Sequence, residues 1–218
     1  MQQPLTGKLK IDACFSPHLY PIYRDDDSVV VIIDILRATS AICTAFHHGA
    51  EKIIPVATVE EAMEYKKQGF LTGAERDAIP LSGFDFGNSP FSYMGENVRG
   101  KTIAITTTNG TQAIEVAREA HKIVIGSFLN LTALTHWLIN ERRDILLLCS
   151  GWKNKFNLED ALFAGAVTEA ILSSTSNYKL GDACLALKYL YAMAKDNPYK
   201  FLNYSSHKER LEIGRAHV

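Results

Sequence analysis

The feature that most constrains the fold of this chain is a repeated alternation of short apolar runs with helical patterns. Residues 29–33 read Val-Val-Val-Ile-Ile, a β-branched run that is typical of a strand buried on both faces. Further short strands are predicted at 52–56, 101–106, 122–125 and 144–149, and each is followed by a helical segment. Such alternation predicts the α/β fold class, with a parallel or mixed sheet covered by helices on both faces.

Local signals mark where several of these elements begin and end. Thr58 and Glu61 form the capping-box pattern TxxE, which predicts a helix running to about Gln68. Asn130 is predicted to cap a later helix. The segment 69–100 contains six glycines and two prolines, so we expect a long functional loop there rather than regular structure.

The bulk composition is that of a globular protein with no strong charge. The chain has 218 residues, of which 47% are hydrophobic, and we expect a single domain over residues 1–211. The formal net charge of -1 gives no reason to expect nucleic acid or an anionic membrane as a partner. The apolar runs are too short to span a bilayer, and the N-terminus lacks a signal-peptide pattern, which together predict a cytoplasmic location.

The last seven residues differ in character from the rest of the chain. Residues 212–218 read Glu-Ile-Gly-Arg-Ala-His-Val, which matches the translation of a sequencing-adapter read-through. We therefore expect a non-native tail and exclude it from the prediction of the fold. The alternative is an ordinary helix end at Gly214.

The four cysteines are Cys14, Cys43, Cys149 and Cys184, and no two of them form a CxxC pair. A zinc knuckle or a thioredoxin-like motif therefore has no support. We expect these residues to be small buried hydrophobes in a reducing compartment.

Polar turns follow three of the predicted strands, at 34–40, 106–111 and 149–160. Ligands of open α/β sheets bind outside the carboxyl ends of the strands, so these turns are expected to form a site. In the first turn, Asp34 follows the apolar run directly and Arg37 comes shortly after it. The carboxylate suits Mg²⁺, which prefers hard oxygen ligands, and the guanidinium suits phosphate or carboxylate. The alternative is that Asp34 caps the following helix and pairs with Arg37.

A second group of charges lies in the glycine-rich segment. Glu75 and Arg76 stand within the sequence Gly-Ala-Glu-Arg-Asp of residues 73–77. In a loop they can supply a second metal ligand and a phosphate clamp, whereas the alternative is a solvated run of surface charges. The sequence Gly-Phe-Asp-Phe-Gly-Asn-Ser-Pro of residues 83–90 is by itself only a loop signal.

The turn Thr-Thr-Thr-Asn-Gly-Thr of residues 106–111 lies between a predicted strand and a predicted helix. Its hydroxyls, its amide and the helix N-terminus can all donate hydrogen bonds to an anion. The candidate substrate-binding residues here are Thr107, Thr108, Asn109, Gly110 and Thr111. The pattern is neither GxGxxG nor the P-loop motif, which removes the main support for a nucleotide site. The alternative is a Thr-rich helix cap.

The third turn begins Cys-Ser-Gly-Trp-Lys-Asn-Lys at residues 149–155. Cysteine phosphatases use a Cys-x5-Arg motif, whereas the corresponding position here is Lys155, which lacks the bidentate fork of arginine. A nucleophilic Cys149 is therefore not expected, although Lys153 and Lys155 can steer an anionic substrate. Asp160 is a candidate metal ligand in the next helix, and its alternative role is a favourable interaction with the helix dipole.

Five sequence blocks occur in order along the chain: VVVIIDILRATSAI, GAERDAIPLSGFDFGNSP, TTTNGTQAI, CSGWKNKFNLEDALFAGA and SSHKERL. Together they resemble the 2-phosphosulfolactate phosphatase family, over about residues 29–211. The resemblance implies a three-layer α/β/α fold and a Mg²⁺-dependent acid phosphatase that releases phosphate from 2-phospho-3-sulfolactate, on the route to coenzyme M. It implies that the site contains Asp34, Arg37, Glu75, Arg76, Asn109 and Asp160.

The first hypothesis is therefore a phosphatase in which Asp34 and Glu75, with Asp160 as a third ligand, bind one Mg²⁺. Arg37, Arg76 and the Thr-rich turn would hold phosphate oxygens and the carboxylate or sulfonate of a small 2-phospho hydroxy acid. The attacking group is left open between water and Asp34.

A second hypothesis is a catalytically silent α/β module that binds a phosphorylated or sulfonated acid. Carboxylates beside a phosphate repel it unless a cation lies between them, so the acidic residues favour the enzyme. A nucleotide-binding oxidoreductase is disfavoured by the absent glycine fingerprint. Both leading hypotheses expect a small phosphorylated acid as the partner, and a homo-oligomer is compatible with either.

Overall fold

Strands and helices alternate along the residues that this computed structural model describes, 7–76 and 79–205. The strands are β1 (Leu9–Cys14), β2 (Val29–Ile33), β3 (Lys52–Pro55), β4 (Leu71–Arg76), β5 (Ile79–Pro80), β6 (Thr102–Thr106), β7 (Lys122–Gly126), β8 (Ile145–Cys149) and β9 (Tyr178–Leu180). The α-helices are α1 (Tyr20–Tyr23), α2 (Ala38–His47), α3 (Val59–Lys67), α4 (Gly110–Val116), α5 (Leu131–Glu141), α6 (Leu158–Ser174), α7 (Asp182–Ala194) and α8 (Pro198–Phe201).

The first sheet of the described chain has five strands in the order β7-β2-β8-β1-β9. All its pairings are parallel, and every residue of the central strands β2 and β8 is buried. The last residue of β2, Ile33, pairs with Cys149 on one side and with Gly126 on the other. The carboxyl ends of β7, β2 and β8 therefore lie side by side, and the turns that follow these strands start from one edge.

Helices cover both faces of this sheet, as the alternating side chains of β2 demonstrate. Val29, Val31 and Ile33 pack in one cluster with residues of α5, α6 and α7. Val30 and Ile32 point to the opposite face and pack in a cluster that includes residues of α1 and α4. The expected three-layer α/β/α architecture is thereby confirmed.

A second sheet has the order β3-β6-β4-β5 within the described residues. Its first three strands are parallel, while β5 runs antiparallel to β4. Ile103 and Ile105 of β6 pack against Ile42 of α2 and against Tyr93. Helix α3 packs against β4 and β6. The carboxyl ends of β4 and β6 are adjacent, because Ala74 pairs with Thr106.

The expectation of an irregular loop over 69–100 is wrong in part, because β4 and β5 lie within it together with 3₁₀ turns at Pro90–Tyr93 and Glu96–Val98. Strand β4 lacks an alternating apolar pattern, and its parallel pairing with β6 overrides its weak local propensity. Gly73 in this strand has a packing role, because a β-carbon there would collide with the hydroxyl group of Tyr93.

The predicted helix caps are partly confirmed. Half of the predicted capping box at α3 is present: the hydroxyl of Thr58 accepts a hydrogen bond from the Glu61 amide at 3.0 Å, while the Glu61 carboxylate accepts from the Ala57 amide at 3.0 Å rather than from that of Thr58. The Asn130 cap is wrong in detail, since its side chain makes no cap bond at the start of α5. Ser127 begins this segment instead, and its backbone amide donates to Oδ1 of Asn130 at 2.9 Å.

Two further expectations from the sequence concern the C-terminal tail and membrane-spanning helices. The predicted non-native tail at 212–218 lies outside the described residues and stays a prediction. Among the helices of the described ranges, none is both long and apolar enough to cross a membrane.

Candidate active site

The loop after β2 presents Asp34 at the carboxyl edge of the first sheet. Asp34 is only 8% exposed. The loop is closed by Thr39, whose hydroxyl accepts from the Asp34 amide at 3.1 Å and donates to the Asp34 carbonyl oxygen at 2.8 Å. Helix α2 begins inside this polar turn, at Ala38. The backbone around Asp34 is therefore fixed by local hydrogen bonds, which holds the carboxylate in a defined place.

Asp160, in the first turn of α6, connects two of the three predicted turns. Its Oδ1 accepts a hydrogen bond from the amide of Ile35 at 2.9 Å, and its Oδ2 accepts one from the amide of Gly151 at 3.2 Å. The side chain is fully buried. Burial, followed by the negative charge of Asp34, raises the pKa of Asp160 well above its ordinary value. The Asp160 carboxyl group thus lies within electrostatic range of Asp34, and its two backbone hydrogen bonds give it more than an interaction with the helix dipole.

Gly110, the first residue of α4, brings the Thr-rich turn against the loop after β2. An ideal β-carbon built on Gly110 would lie 3.1 Å from Oδ2 of Asp34 and 3.0 Å from the β-carbon of Ala38. A small apolar cavity beside this contact is lined by Ile32 of the first sheet and Ile105 of the second. The turns that follow strands of the two sheets therefore meet beside Asp34.

The Thr-rich turn combines helix capping with side chains that have no capping role. Thr107 and Thr111 close the start of α4: Oγ1 of Thr107 accepts from the Thr111 amide at 3.2 Å, and the Thr111 hydroxyl donates to the Thr107 carbonyl at 2.7 Å. This matches the alternative reading of the turn as a Thr-rich cap. The Thr108 hydroxyl oxygen is buried and has no hydrogen-bond partner among the described residues. Asn109 makes no side-chain cap bond.

Glu75 lies at the carboxyl end of β4, in the second sheet, and is 7% exposed. Its Oε2 accepts a hydrogen bond from the side-chain amide of Asn88 at 3.1 Å. This buried position overturns the alternative of a solvated charge run at Glu75. The backbone of the next residue, Arg76, pairs with Ile79, while the Arg76 side chain lies outside the described part of the structure.

The other cationic side chains predicted for the site differ in how exposed they are. Arg37 is half-buried at the N-cap position of α2. Lys153 and Lys155 are exposed in a tight turn, in which the backbones of Trp152 and Lys155 bond to each other at 3.0 and 2.9 Å. The ammonium of Lys153 lies 5.5 Å from the centre of the Trp152 ring. These lysines are therefore surface groups, suited to attracting an anion rather than to holding it in a closed pocket.

The fit of this arrangement to Mg²⁺ depends on the carboxylates. Within residues 7–76 and 79–205, no three His, Cys, Asp or Glu side chains lie close enough together to hold a metal ion. The predicted set of Asp34, Glu75 and Asp160 is therefore not gathered as a cluster, and Asp160 already accepts two backbone hydrogen bonds. Mg²⁺ commonly uses one or two carboxylates, with waters and substrate oxygens completing its shell. Asp34, buried at the carboxyl edge of the first sheet, fits that smaller requirement as one protein ligand.

Cys149 is buried at the end of β8, and its environment is unsuited to a thiolate. Burial, together with the charge of Asp160, raises the pKa of the Cys149 thiol well above its ordinary value. Cys14 and Cys184 are also buried, while Cys43 is partly exposed, and all are free thiols. The prediction of buried, unpaired cysteines is confirmed, apart from the partial exposure of Cys43.

Some polar residues at the site are not singled out by the sequence patterns. Ser150 follows β8 directly, is 1% exposed, and has a buried hydroxyl oxygen without a partner among the described residues. Oδ1 of Asn157, just before α6, is likewise buried without a hydrogen-bond partner among the described residues. Buried polar atoms without partners are rare, so these groups suggest the place of a ligand or a bound water. The signal that was available for Ser150 is its position at the end of an apolar strand.

The fold and the site together define an α/β protein with buried carboxyl groups and neutral hydrogen-bonding groups at the carboxyl ends of its parallel strands. Residues 14–216 match the model of a family described as 2-phosphosulpholactate phosphatase. The chain belongs to this family, which confirms the resemblance seen in the sequence.

Several relatives are similar over most of the chain. A probable 2-phosphosulfolactate phosphatase of Thermotoga maritima is 45% identical over 181 residues, which cover 83% of this chain and 77% of the relative. A protein of the same name from Caldanaerobacter subterraneus is 41% identical over 187 residues, covering 84% and 77%. Another, from Clostridium acetobutylicum, is 36% identical over 211 residues, covering 94% and 89%.

Proposed function

We propose that this chain is a Mg²⁺-dependent phosphatase that hydrolyses 2-phosphosulfolactate to sulfolactate and phosphate. The family and the names of its similar members support a phosphoric monoester hydrolase acting on this substrate. A role in coenzyme M biosynthesis and a cytoplasmic location stay predictions from the sequence.

The observation that carries the proposal is the position of Asp34. It is buried at the carboxyl edge of a parallel sheet, next to Asp160 and against the backbone of Gly110. Two neighbouring carboxyl groups in a dry environment repel each other when both are ionised. A divalent cation or a proton relieves this repulsion, and a cation at this position also attracts a phosphate.

The roles of the other residues follow from their positions. Asp160 fixes the loops after β2 and β8 through its two backbone hydrogen bonds. The Thr-rich turn, which packs against the Asp34 loop at Gly110, supplies neutral donors, and its Thr108 and Asn109 have no capping function. In the proposal these donors and Arg37 bind the oxygens of the phosphoryl group, since preorganised donors stabilise charge that grows in the transition state.

In the proposal Asp34 binds Mg²⁺, with Glu75 as the second ligand predicted from the sequence, and the metal ion would neutralise charge and polarise a phosphoryl oxygen. Because Mg²⁺ needs few ligands from protein, Asp160 is better suited to orienting the loop around Asp34 than to direct coordination. The exposed Lys153 and Lys155 would attract the sulfonate or carboxylate of the substrate.

The experiment that tests the proposal measures phosphate release from 2-phosphosulfolactate, with Mg²⁺ and with excess chelator. The wild type is expected to need Mg²⁺, and Asp34→Asn is expected to lose Mg²⁺-dependent turnover while keeping its circular dichroism spectrum. Asp182→Asn is the matched control, because Asp182 is an exposed aspartate in the first turn of α7.

Turnover by the folded Asp34→Asn protein at the wild-type rate would contradict the role of Asp34. Binding of the substrate without release of phosphate by the wild type would favour the catalytically silent binding module.

A further inference from the structure

The segment after β5 runs beside β4 and is held there by several backbone hydrogen bonds. The amides of Asp85 and Phe86 both donate to the carbonyl oxygen of Thr72 at 3.0 Å. The amide of Ala74 donates in turn to the Phe86 carbonyl, also at 3.0 Å. Residues 85–86 therefore extend the second sheet locally, and the chain that leaves them is directed along β4.

Side-chain hydrogen bonds also hold this segment against the rest of the protein. The carboxylate of Asp85 accepts from the amide of Thr72 at 2.8 Å and from its hydroxyl at 3.0 Å. The hydroxyl of the fully buried Tyr93 donates to the Gly87 carbonyl at 2.8 Å. Burial raises the pKa of Tyr93, so this hydroxyl stays protonated and remains a donor. The backbone that leads into residue 88 is thus held in place.

Asn88 lies at the end of this fixed segment and reaches Glu75. Asn88 is 4% exposed and Glu75 is 7% exposed, and the amide nitrogen of Asn88 lies 3.1 Å from Oε2 of Glu75. The amide N–H of Asn88 can only donate, so the bond runs from Asn88 to the carboxyl oxygen of Glu75. A hydrogen bond to a charged acceptor in a buried place is among the stronger kinds and restricts the rotation of the acceptor.

We propose that Asn88 is a positioning residue, which orients the Glu75 carboxylate within the site. This inference rests on the proposed function, because it takes Glu75 to be part of the phosphatase machinery. Partners that hydrogen-bond to a metal-binding or substrate-binding carboxylate commonly contribute about 10- to 100-fold to affinity or activity. Asn88 acts through Glu75, and it thereby gives the Gly-Phe-Asp-Phe-Gly-Asn-Ser-Pro sequence a role beyond that of a loop.

The test is a double-mutant cycle with Asn88→Ala and Glu75→Ala in the full chain. Two quantities are measured for each protein: the affinity for inorganic phosphate at fixed Mg²⁺, by calorimetry, and kcat/KM for 2-phosphosulfolactate. We expect Asn88→Ala to lower both by about tenfold in the wild-type background. In the Glu75→Ala background the same change should alter them less than about twofold, because the group that it orients is already gone.

Two further variants separate positioning from loss of folding. Asn88→Asp keeps the shape but replaces the donor with a like charge, so its loss should be at least as large as that of Asn88→Ala. Ser89→Ala is the matched control on the same segment, since the Ser89 side chain makes no cap bond, and it should leave both quantities unchanged. Circular dichroism spectra identify the variants that are folded.

Equal losses from Asn88→Ala in the two backgrounds would overturn the inference, as would wild-type values in Asn88→Ala itself. A wild type that binds phosphate but does not hydrolyse the substrate would remove the proposed function alone, and the phosphate affinities would still test Asn88. Failure of the wild type to bind inorganic phosphate would overturn both.

Discussion

Gly110 packs directly against the carboxylate of Asp34, with too little room between them for a β-carbon at an ordinary contact distance. A β-carbon on Gly110 would lie 3.1 Å from Oδ2 of Asp34, 3.0 Å from Oγ1 of Thr107 and 3.0 Å from the β-carbon of Ala38. These separations are shorter than ordinary van der Waals contact, so a methyl group would displace its neighbours by a few tenths of an ångström. The position of Asp34 therefore depends on the absence of a side chain in the neighbouring helix.

Gly110→Ala is expected to lower kcat/KM by about tenfold, because small displacements of reacting groups are costly for catalysis. The free energy of unfolding should change by less than about 1 kcal/mol, since alanine favours the helix while its methyl group is crowded. Steady-state kinetics and urea unfolding measure the two effects. Gly7→Ala is the control, because a β-carbon on Gly7 meets no atom within 4 Å. Wild-type kinetics in Gly110→Ala would contradict the prediction.

Ser150→Ala is expected to separate binding from stability. The Ser150 hydroxyl is buried without a partner among the described residues, so its removal should leave the free energy of unfolding unchanged or raise it by up to about 1 kcal/mol. We expect the hydroxyl to contact the substrate, so kcat/KM should fall by about tenfold, the equivalent of roughly 1.4 kcal/mol. Urea unfolding without ligand and steady-state kinetics test both parts.

Ser127→Ala is the matched comparison for Ser150→Ala, because the Ser127 hydroxyl accepts from the Leu129 amide at 3.3 Å and lies 3.1 Å from the Ser40 hydroxyl. Its loss should destabilise the protein by about 1 kcal/mol. Similar destabilisation by both variants, with unchanged kinetics in Ser150→Ala, would contradict a ligand contact at Ser150.

Cys149→Ser is expected to retain most of the activity. Because burial raises the pKa of Cys149, the thiol stays protonated at neutral pH and is a poor nucleophile. The variant places a hydroxyl in the core and should lose about 1 to 3 kcal/mol of stability, whereas Cys149→Ala avoids the buried polar group. Kinetics and thermal denaturation are compared for both variants. Loss of all activity in a folded variant, with a phosphocysteine trapped in the wild type, would contradict the prediction.

The substrate is expected to need a second anion in addition to its phosphate. Arg37, Arg76, Lys153 and Lys155 together offer more positive charge than one phosphate requires, so a 2-phospho carboxylate or sulfonate should be preferred over a neutral alkyl phosphate of similar size. We expect the ratio of kcat/KM values to be at least about tenfold, or roughly 1.4 kcal/mol of transition-state binding.

Arg76→Ala should reduce this preference more than it slows hydrolysis of the neutral ester. Arg118→Ala is its control, because Arg118 is exposed on the protein surface and paired with Glu115. Equal kcat/KM values for both substrates in the wild type would remove the second anion from the model of the site.

The sequence predicts best those strands that are fully buried, because every residue in them is apolar. Residues 29–33 are apolar throughout because β2 lies between two other strands with helices on both faces. The TxxE pattern at Thr58 fixes a helix start by local hydrogen bonds alone. By contrast, β4 contains Gly73 and the charged Glu75, and it is a strand because β6 lies beside it. Pairing between distant segments leaves no local signal in the sequence.

The candidate site shows the same contrast between local signals, which the sequence contains, and long-range contacts, which it does not reveal. Asp34 stands out because a carboxylate after five apolar residues is conspicuous, whereas its proximity to Asp160 depends on how α6 docks against the sheet. The bond from Asn88 to Glu75 joins residues in a glycine-rich segment whose conformation is set by backbone pairing with β4. Side-chain type identifies candidates, while the tertiary fold determines which of them meet.

The two hydrogen bonds of Asp160 link the integrity of the site to a single turn of helix. The loops after β2 and β8 both depend on a carboxylate that belongs to neither strand and that reaches them only when the start of α6 is in place. Fraying of that turn would release the amides of Ile35 and Gly151 together while the strands remain paired. Such local opening needs less free energy than unfolding of the whole chain. Heat or denaturant should therefore abolish turnover before the sheet melts, with amide exchange at Ile35 and Gly151 rising in parallel.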